Sequence, residues 1–459
     1  MAAVVAPRMP VATGRPGAVR AGLGRAPELP HDGPVAWFTG PATAGGTEVM
    51  ARTVRAGIEA GLPVVGVLGG LGVSRSAGLD ALDGWGRVAA ALAAASGQVP
   101  TVLVVDGPCL GGQALLLGLA DVVVMTERAH AYVNDPGAAS RLTGAGRVEA
   151  ASLGGSWVHA TSSGLADLLA DDLPGALDVV ADVLALLPAN NHEPPPAVPP
   201  CDPPDRATVR ALAAVPRDGR ASYDVRDVIT DVLDHGSVIE LRAWFGTSVV
   251  TALGRVAGMP VGVVANQPAR LAGALDIEGS VKGARFVRFC DALNLPVVTL
   301  VDTPGFRPGR DQEWRGMIRH GAKLAFAYAE ATVPRVCLVI RKAYGGAYIV
   351  MDCKAMGNDC ALAWPTAEIA VMGAGGAVEI LHRRELGALP PGDERDRRRR
   401  ELEAAYDDTH LTPATALERG YVDAVIDPAE TRAAVAGALA ALAAKRERLP
   451  ARRHENIPL

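Results

Sequence analysis

The chain repeats itself. The run "VLVVDGPCLGGQALL" (Val102 to Leu116) is echoed by "CLVIRKAYGGAYIVM" (Cys337 to Met351), and "GLPVVGVLGG" (Gly61 to Gly70) by "LNLPVVTLVD" (Leu293 to Asp302). Pro63 and Pro296 stand 233 positions apart, as do Gly112 and Gly345. A third match, "DVVVMTERAHAYV" from Asp121 against "DCALAWPTAEIAV" from Asp359, is offset by 238. Three matches in order at nearly constant offset point to a duplicated domain rather than to chance. Between the copies lies "LLPANNHEPPPAVPPCDPPDR" (Leu186 to Arg206), whose prolines exclude a continuing helix or a central strand. On either side, short Val, Leu and Ile runs alternate with Ala-rich stretches, the pattern of βα units on a mostly parallel sheet. The sequence thus predicts an α/β fold in two similar domains. An arm rich in Pro, Gly, Ala and Arg covers residues 1–33 and is expected to be disordered. A first domain follows over 34–188, a Pro-rich linker over 189–206, and a second domain with a closing tail over 207–459.

Each copy ends a long apolar run in a glycine turn. In "RKAYGGAYIVM", Gly345, Gly346 and Ala347 stand where a buried strand gives way to a helix. Small residues let another group approach the backbone, and the first N–H groups of a helix lack intrahelical acceptors. Donors aimed at open space suit an oxyanion hole. One such turn alone reads more readily as relief of steric crowding. The same turn at the same place in both copies favours two oxyanion-type sites.

Composition narrows the function. The apolar share is 49% and the aromatic share only 4%, so large cores must be filled by Val, Leu, Ala and Ile. A net charge of −5 argues against a general nucleic-acid binder. The six cysteines show neither a CxxC pair nor a His/Cys metal spacing, which predicts reduced thiols in a cytoplasmic protein without structural zinc. The longest apolar stretches are short and interrupted by glycine, so no transmembrane helix is expected, and the first ~30 residues lack the apolar core of a signal peptide. The histidines are scattered, and no G-x-S-x-G elbow, P-loop or Rossmann fingerprint occurs. "DERDRRRRELEAAYDD" (Asp393 to Asp408) reads as a solvated helix face. Backbone donors without a proton-shuttling side chain suit chemistry in which substrate and cofactor supply the reacting groups.

Long stretches carry a resemblance. They include "ASGQVPTVLVVDGPCLGG", "LGGSWVHATSSGLADLLADD", "YDVRDVITDVLDHGSVIEL", "VVANQPARLAGALDIEGSVKGARFVRFCDALNLPVVTLVDTPGF", "LAWPTAEIAVMGAGGAVEIL" and the closing "RRHENIPL". From about Pro34 to Leu459, most strongly after Tyr223, the chain resembles the carboxyltransferase β subunits of biotin-dependent acyl-CoA carboxylases. These are the propionyl-CoA and acetyl-CoA carboxylase type, with a duplicated crotonase-like (ββα-spiral) fold. The resemblance implies transfer of a carboxyl group from carboxybiotin to the α-carbon of an acyl-CoA, giving malonyl- or alkylmalonyl-CoA. It implies that Gly111 and Gly112 hold the thioester enolate and that Gly346 and Ala347 hold the biotin carbonyl, with Gly345 and Tyr344 beside it. Ile349, directly after "GGAY", would set acyl size. No metal is implied. Biotin would ride on a partner carrier, because neither an ATP-grasp domain nor a Met-Lys-Met motif is present, and a biotin carboxylase would charge it. The N-half of one subunit would face the C-half of another in a dimer, usually within a hexamer. No nucleic-acid or membrane partner is implied.

Two departures stand against this pattern. The family's segment ahead of the first sheet is largely missing. Its Asp-Ser-Gly-Gly-Ala-Arg-Ile-Gln-Glu-Gly stretch appears as "GGLGVSRSAG" (Gly69 to Gly78), with Gly69 for the Asp and Ser74 for the Arg, beside Arg75. Three readings stay open: drift with retained carboxyltransfer, decarboxylation of a malonyl-type thioester, and a non-catalytic subunit. A carrier-protein thioester is the alternative substrate. Arg307 and Arg310 are candidates for anion contact or for plain surface solvation, and Lys354 to Cys360 read as support around the second turn.

Overall fold

The structure is a computed structural model that describes residues 19–40, 44–70, 79–134, 136–144 and 148–458. The chain divides into two compact units, one of residues 1–196 with 241–245 and 292–294, the other of the remainder.

In the first unit, seven strands form one sheet: β1 (Arg20–Gly24), β2 (Val35–Thr39), β3 (Val64–Gly70), β4 (Thr101–Leu110), β5 (Val122–Thr126), β6 (His130–Tyr132) and β7 (Leu168–Ala170). Their order is β1-β2-β3-β4-β5-β7, with β6 paired to β4 off this path. β1 and β2 are antiparallel, and the other pairs are parallel. Strands β3 to β5 read as near-continuous Val and Leu runs because parallel strands are covered on both faces. The helices Ala44–Ala60 and Leu79–Ala95 supply Met50, Val54, Val88 and Leu92 to a core shared with Phe38 and Leu103.

The second unit repeats the plan with β8 (Ile239–Leu241), β9 (Val249–Val256), β10 (Met259–Asn266), β11 (Val297–Thr303), β12 (Arg335–Tyr344), β13 (Cys360–Ala363), β14 (Glu368–Ala370) and β15 (Ala424–Val425). The order is β15-β13-β12-β11-β10-β9-β8, with β14 on β12. An antiparallel β9–β10 hairpin leads into parallel pairs, as β1–β2 does in the first unit. Even the ladder irregularity recurs, between Leu68 and Gly70 on β3 and between Val301 and Thr303 on β11.

Strand pairing corrects the repeat by one residue. Val64 faces Thr101 and Val297 faces Arg335, so the third strands are 233 residues apart but the fourth strands are 234 apart. Gly111 therefore matches Gly345, and Gly112 matches Gly346. Both Gly111 and Gly345 hold a left-handed φ, +64° and +57°. A Gly-Gly pair matches itself when slid by one, which hides the slip in the letters. The expected arm also needs correction. Residues 20–24 form an edge strand, because the whole of β1 pairs with β2; residues 1–18 lie outside the described residues.

The Pro-rich segment is tied down by hydrogen bonds. In the second unit the Val198 N–H donates to Gly258 O (3.0 Å) and the Arg432 guanidinium to Pro203 O (2.9 Å). The closing tail is held by ion pairs from Arg452 to Glu330 (2.6 Å) and from Glu455 to Arg288 (3.3 Å).

Candidate active site

In the second unit β12 runs ten residues, nearly all buried, and passes at Tyr344 straight into the helix Gly345–Val350. A Cβ at Gly345 would stand 3.1 Å from Val371 O in a backbone conformation that L residues rarely adopt, so glycine is required there. A Cβ at Gly346 would meet only the Phe306 ring, at 3.5 Å, and Ala347 is wholly buried. The N–H groups of Gly346 and Ala347 lie in the first helical turn and have no intrahelical acceptor. Tyr344 donates its phenol to the Glu368 carboxylate, and burial with this bond holds its pKa far above the usual tyrosine range. It is a neutral donor and not a base. Ile349 is 49% exposed on the same helix.

What fixes the turn is a buried ion pair absent from the sequence reading. Asp302 is the last residue but one of β11, Arg341 lies near the end of β12, and Arg341 Nε donates to Asp302 Oδ2 at 2.8 Å. Arg341 also donates to Asp218 O (3.1 Å) and Ala221 O (2.9 Å) and lies 4.8 Å from the Tyr223 ring centre. Asp302 Oδ1 accepts the Lys342 N–H at 3.2 Å. A buried charge with its bonding positions met in this way joins two strand ends rigidly. The signal in the sequence was two charges ending the apolar runs "VVTLVD" and "CLVIR".

The segment after the turn is support. Asn358 Nδ2 donates to Asp352 Oδ2 (2.8 Å), which is ion-paired through Oδ1 with Arg335 (2.6 Å). Arg307 faces Asp311 at 3.9 Å and Arg310 stacks on the exposed Trp314 at 4.5 Å, so each finds its partner at the surface helix Arg310–Trp314.

The first unit builds the matching turn differently. Gly111 sits at φ 64° and ψ −129° between β4 and the helix Gly112–Leu117. Its N–H donates to Tyr132 O at 3.0 Å, because β6 lies alongside β4. The Gly111 donor expected from the sequence is therefore already paired. The Ala114 N–H is taken by Gly111 O (3.1 Å), which leaves the first-turn N–H groups of Gly112 and Gln113. At the corrected spacing these two match Gly346 and Ala347. Strand β6 is itself held by His159, whose Nε2 lies 2.7 Å from Ala131 O. A Cβ on Gly112 would come within 2.7 Å of Trp85, so glycine is needed here for space.

Sequence reasoning missed Gln113. It is wholly buried, and neither side-chain amide atom has a hydrogen-bond partner. The only hint was "GGQ" standing where the other copy has "GGA". The ion pair has no counterpart in this unit either, since Asp302 and Arg341 match Gly69 and Gly107. A Cβ on Gly69 would lie 2.4 Å from Asp106 O, which leaves no room for the family's Asp. Ser74 and Arg75 lie outside the described residues. Among the described residues no His, Cys, Asp and Glu cluster could hold a metal ion, and no helix is long and apolar enough to cross a membrane.

Comparison with known proteins agrees with this geometry. The family described as carboxyl transferase domain matches residues 6–457. The propionyl-CoA carboxylase beta chain of Saccharopolyspora erythraea is 44% identical over 422 residues, covering 90% of this chain and 77% of the relative. The methylmalonyl-CoA decarboxylase subunit alpha of Veillonella parvula is 39% identical over 411 residues, covering 89% and 78%. Among solved structures, the transcarboxylase 12S hexamer with methylmalonyl-coenzyme A and methylmalonic acid bound superposes with a TM-score of 0.91 at 40% identity. That match covers 96% of this chain and 85% of that one. Both sheets are thus crotonase-like. The likeness runs through both copies and both turns, and the chain belongs to the carboxyl transferase family as a carboxyltransferase of biotin-dependent acyl-CoA carboxylation.

Proposed function

We propose that the chain moves a carboxyl group from biotin, held on a partner carrier protein, to the α-carbon of a short acyl-CoA. The product is malonyl- or alkylmalonyl-CoA. The observation that carries this is the glycine turn built twice, each time with two first-turn N–H groups left without intrahelical acceptors. As the α-proton leaves, to the ureido nitrogen that biotin would free by giving up its carboxyl group, negative charge collects on the thioester oxygen, where the Gly112 and Gln113 N–H groups would meet it. Gly111 serves by shaping the corner, its own N–H anchored on Tyr132. Removing one such donor costs about 3–4 kcal/mol in comparable sites. The second turn would take a biotin carbonyl, with the Phe306 ring beside Gly346 as an apolar flank for a flat acceptor and Gly345 and the neutral Tyr344 bordering it. Carboxylated biotin, when bound there, supplies the carboxyl group. Gly346 and Ala347 would orient it, and the Asp302–Arg341 pair keeps the turn in place. Ile349, apolar and half-exposed, would line the acyl chain.

We place the enzyme in the cytoplasm, where its six unpaired cysteines stay reduced. It would work with separate biotin carboxylase and carrier subunits. A second reading, decarboxylation of a malonyl-type thioester, is favoured by the likeness to the Veillonella parvula decarboxylase subunit. It needs the first turn alone. The deciding assay follows methylmalonyl and malonyl thioesters, on CoA and on carrier protein, with and without free biotin. Turnover that requires biotin is expected, and carbon dioxide release without biotin would replace carboxyltransfer by decarboxylation. Acetyl, propionyl and butyryl thioesters compared in wild type and Ile349→Asp complete the test, and identical profiles would remove Ile349 from the acyl site.

A further inference from the structure

We propose that the side-chain amide of Gln113 is a third hydrogen-bond donor to the thioester oxygen, supplementing the two backbone N–H groups. The inference rests on reading the first turn as the thioester site. Gln113 is wholly buried, yet neither Nε2 nor Oε1 has a partner. Buried polar groups are almost always paired, because desolvating them without a partner is unfavourable. Packing does not demand a long side chain here, since the matching residue of the other copy is Ala347, equally buried.

The direction of the side chain supplies the role. Gln113 is the second residue of the helix Gly112–Leu117. Helical side chains lean toward the N-terminus of their helix, so this amide is carried back over Gly112, to the end where the free N–H groups point. Trp85 closes the flank at Gly112, and the Gly111 N–H is committed to Tyr132. Nε2 therefore adds a donor at the place where Gly111 has none to give. Side-chain amides serve as oxyanion donors elsewhere, and removing one lowers turnover by about 100- to 1,000-fold. Among the described residues the amide has no acceptor, and the developing enolate oxygen is the partner that satisfies Nε2.

The test pairs kinetics with stability in Gln113→Met and Gln113→Ala, using methylmalonyl-CoA with free biotin. Met keeps the volume and removes both orphaned atoms. It is expected to raise Tm while kcat falls about 100-fold, with KM for the thioester little changed. Ala tests the same loss of kcat should Met pack badly. A variant with raised Tm and wild-type kcat would overturn the proposal and leave Gln113 a packing residue. Biotin-independent release by the wild type would sink carboxyltransfer but not this test, because decarboxylation forms the same enolate and the same kcat comparison applies. A wild type with neither reaction would sink both.

Discussion

Gly111 and Gly112 are adjacent and needed for different reasons. The first holds a φ and ψ that a Cβ disfavours, with open space beyond it, and the second has no room for a Cβ beside Trp85. Tyr344 shows the same economy, since its bond to Glu368 removes it from acid–base work and makes it a wall. The thiols divide by burial. Desolvation pushes the Cys109 thiol up to about 12 and holds those of Cys290 and Cys337 well above the ordinary value, while Cys201 is exposed. A thiolate is the reactive form, so an aromatic disulfide reagent at about pH 8 is expected to modify Cys201 rapidly and the four buried thiols, Cys353 among them, only after unfolding. Cys201→Ser should abolish the fast phase. Rapid labelling of Cys109 in the folded Cys201→Ser protein would contradict the burial.

The Asp302–Arg341 pair is the main difference between the two copies at the level of elements. Removing one partner of a buried pair leaves an uncompensated charge, which costs about 3–5 kcal/mol. Arg341→Met and Asp302→Asn are each expected to lose stability of that order in denaturant unfolding. The double variant should lose clearly less than the sum, because neither charge is then stranded. Additive losses would mean that the two side chains act independently. This pair also marks the limit of what the letters carry. Strands β3, β4, β11 and β12 were legible as unbroken apolar runs, and both glycine turns could be read from the run of small residues that follows. The partner of Asp302 lies 39 residues away and becomes visible only when β11 and β12 are paired. Strand β1, "RAGLG", has no apolar alternation of its own and is a strand only because β2 offers it an edge. Gln113 escaped notice because glutamine is ordinarily a surface residue, and nothing in its neighbours announces burial.

At the scale of the whole molecule, the second unit leaves large apolar side chains in solvent: Trp314 at 77%, Ile318 at 83%, Val371 at 75%, Ile380 at 65% and Leu381 at 66% exposed. Single exposed apolar residues are common, but the adjacent Ile380 and Leu381 make an exposed pair that another copy is expected to cover. The transcarboxylase 12S structure that this chain resembles is a hexamer; for this chain the exposed pair predicts association with further copies. Ile380 and Leu381 end the helix Ala374–Leu381 and are adjacent, so Ile380→Lys with Leu381→Lys places two charges on that surface. Light scattering after size exclusion should then show the assembled particle replaced by smaller species, while circular dichroism stays that of the folded chain. If the two turns work only across neighbouring subunits, biotin-dependent turnover should disappear together with the assembly. The thioester turn would keep its fold in the dissociated chain. A dissociated, folded variant with full biotin-dependent turnover would show that one chain alone completes the site, and the dimer would have to be dropped from the mechanism.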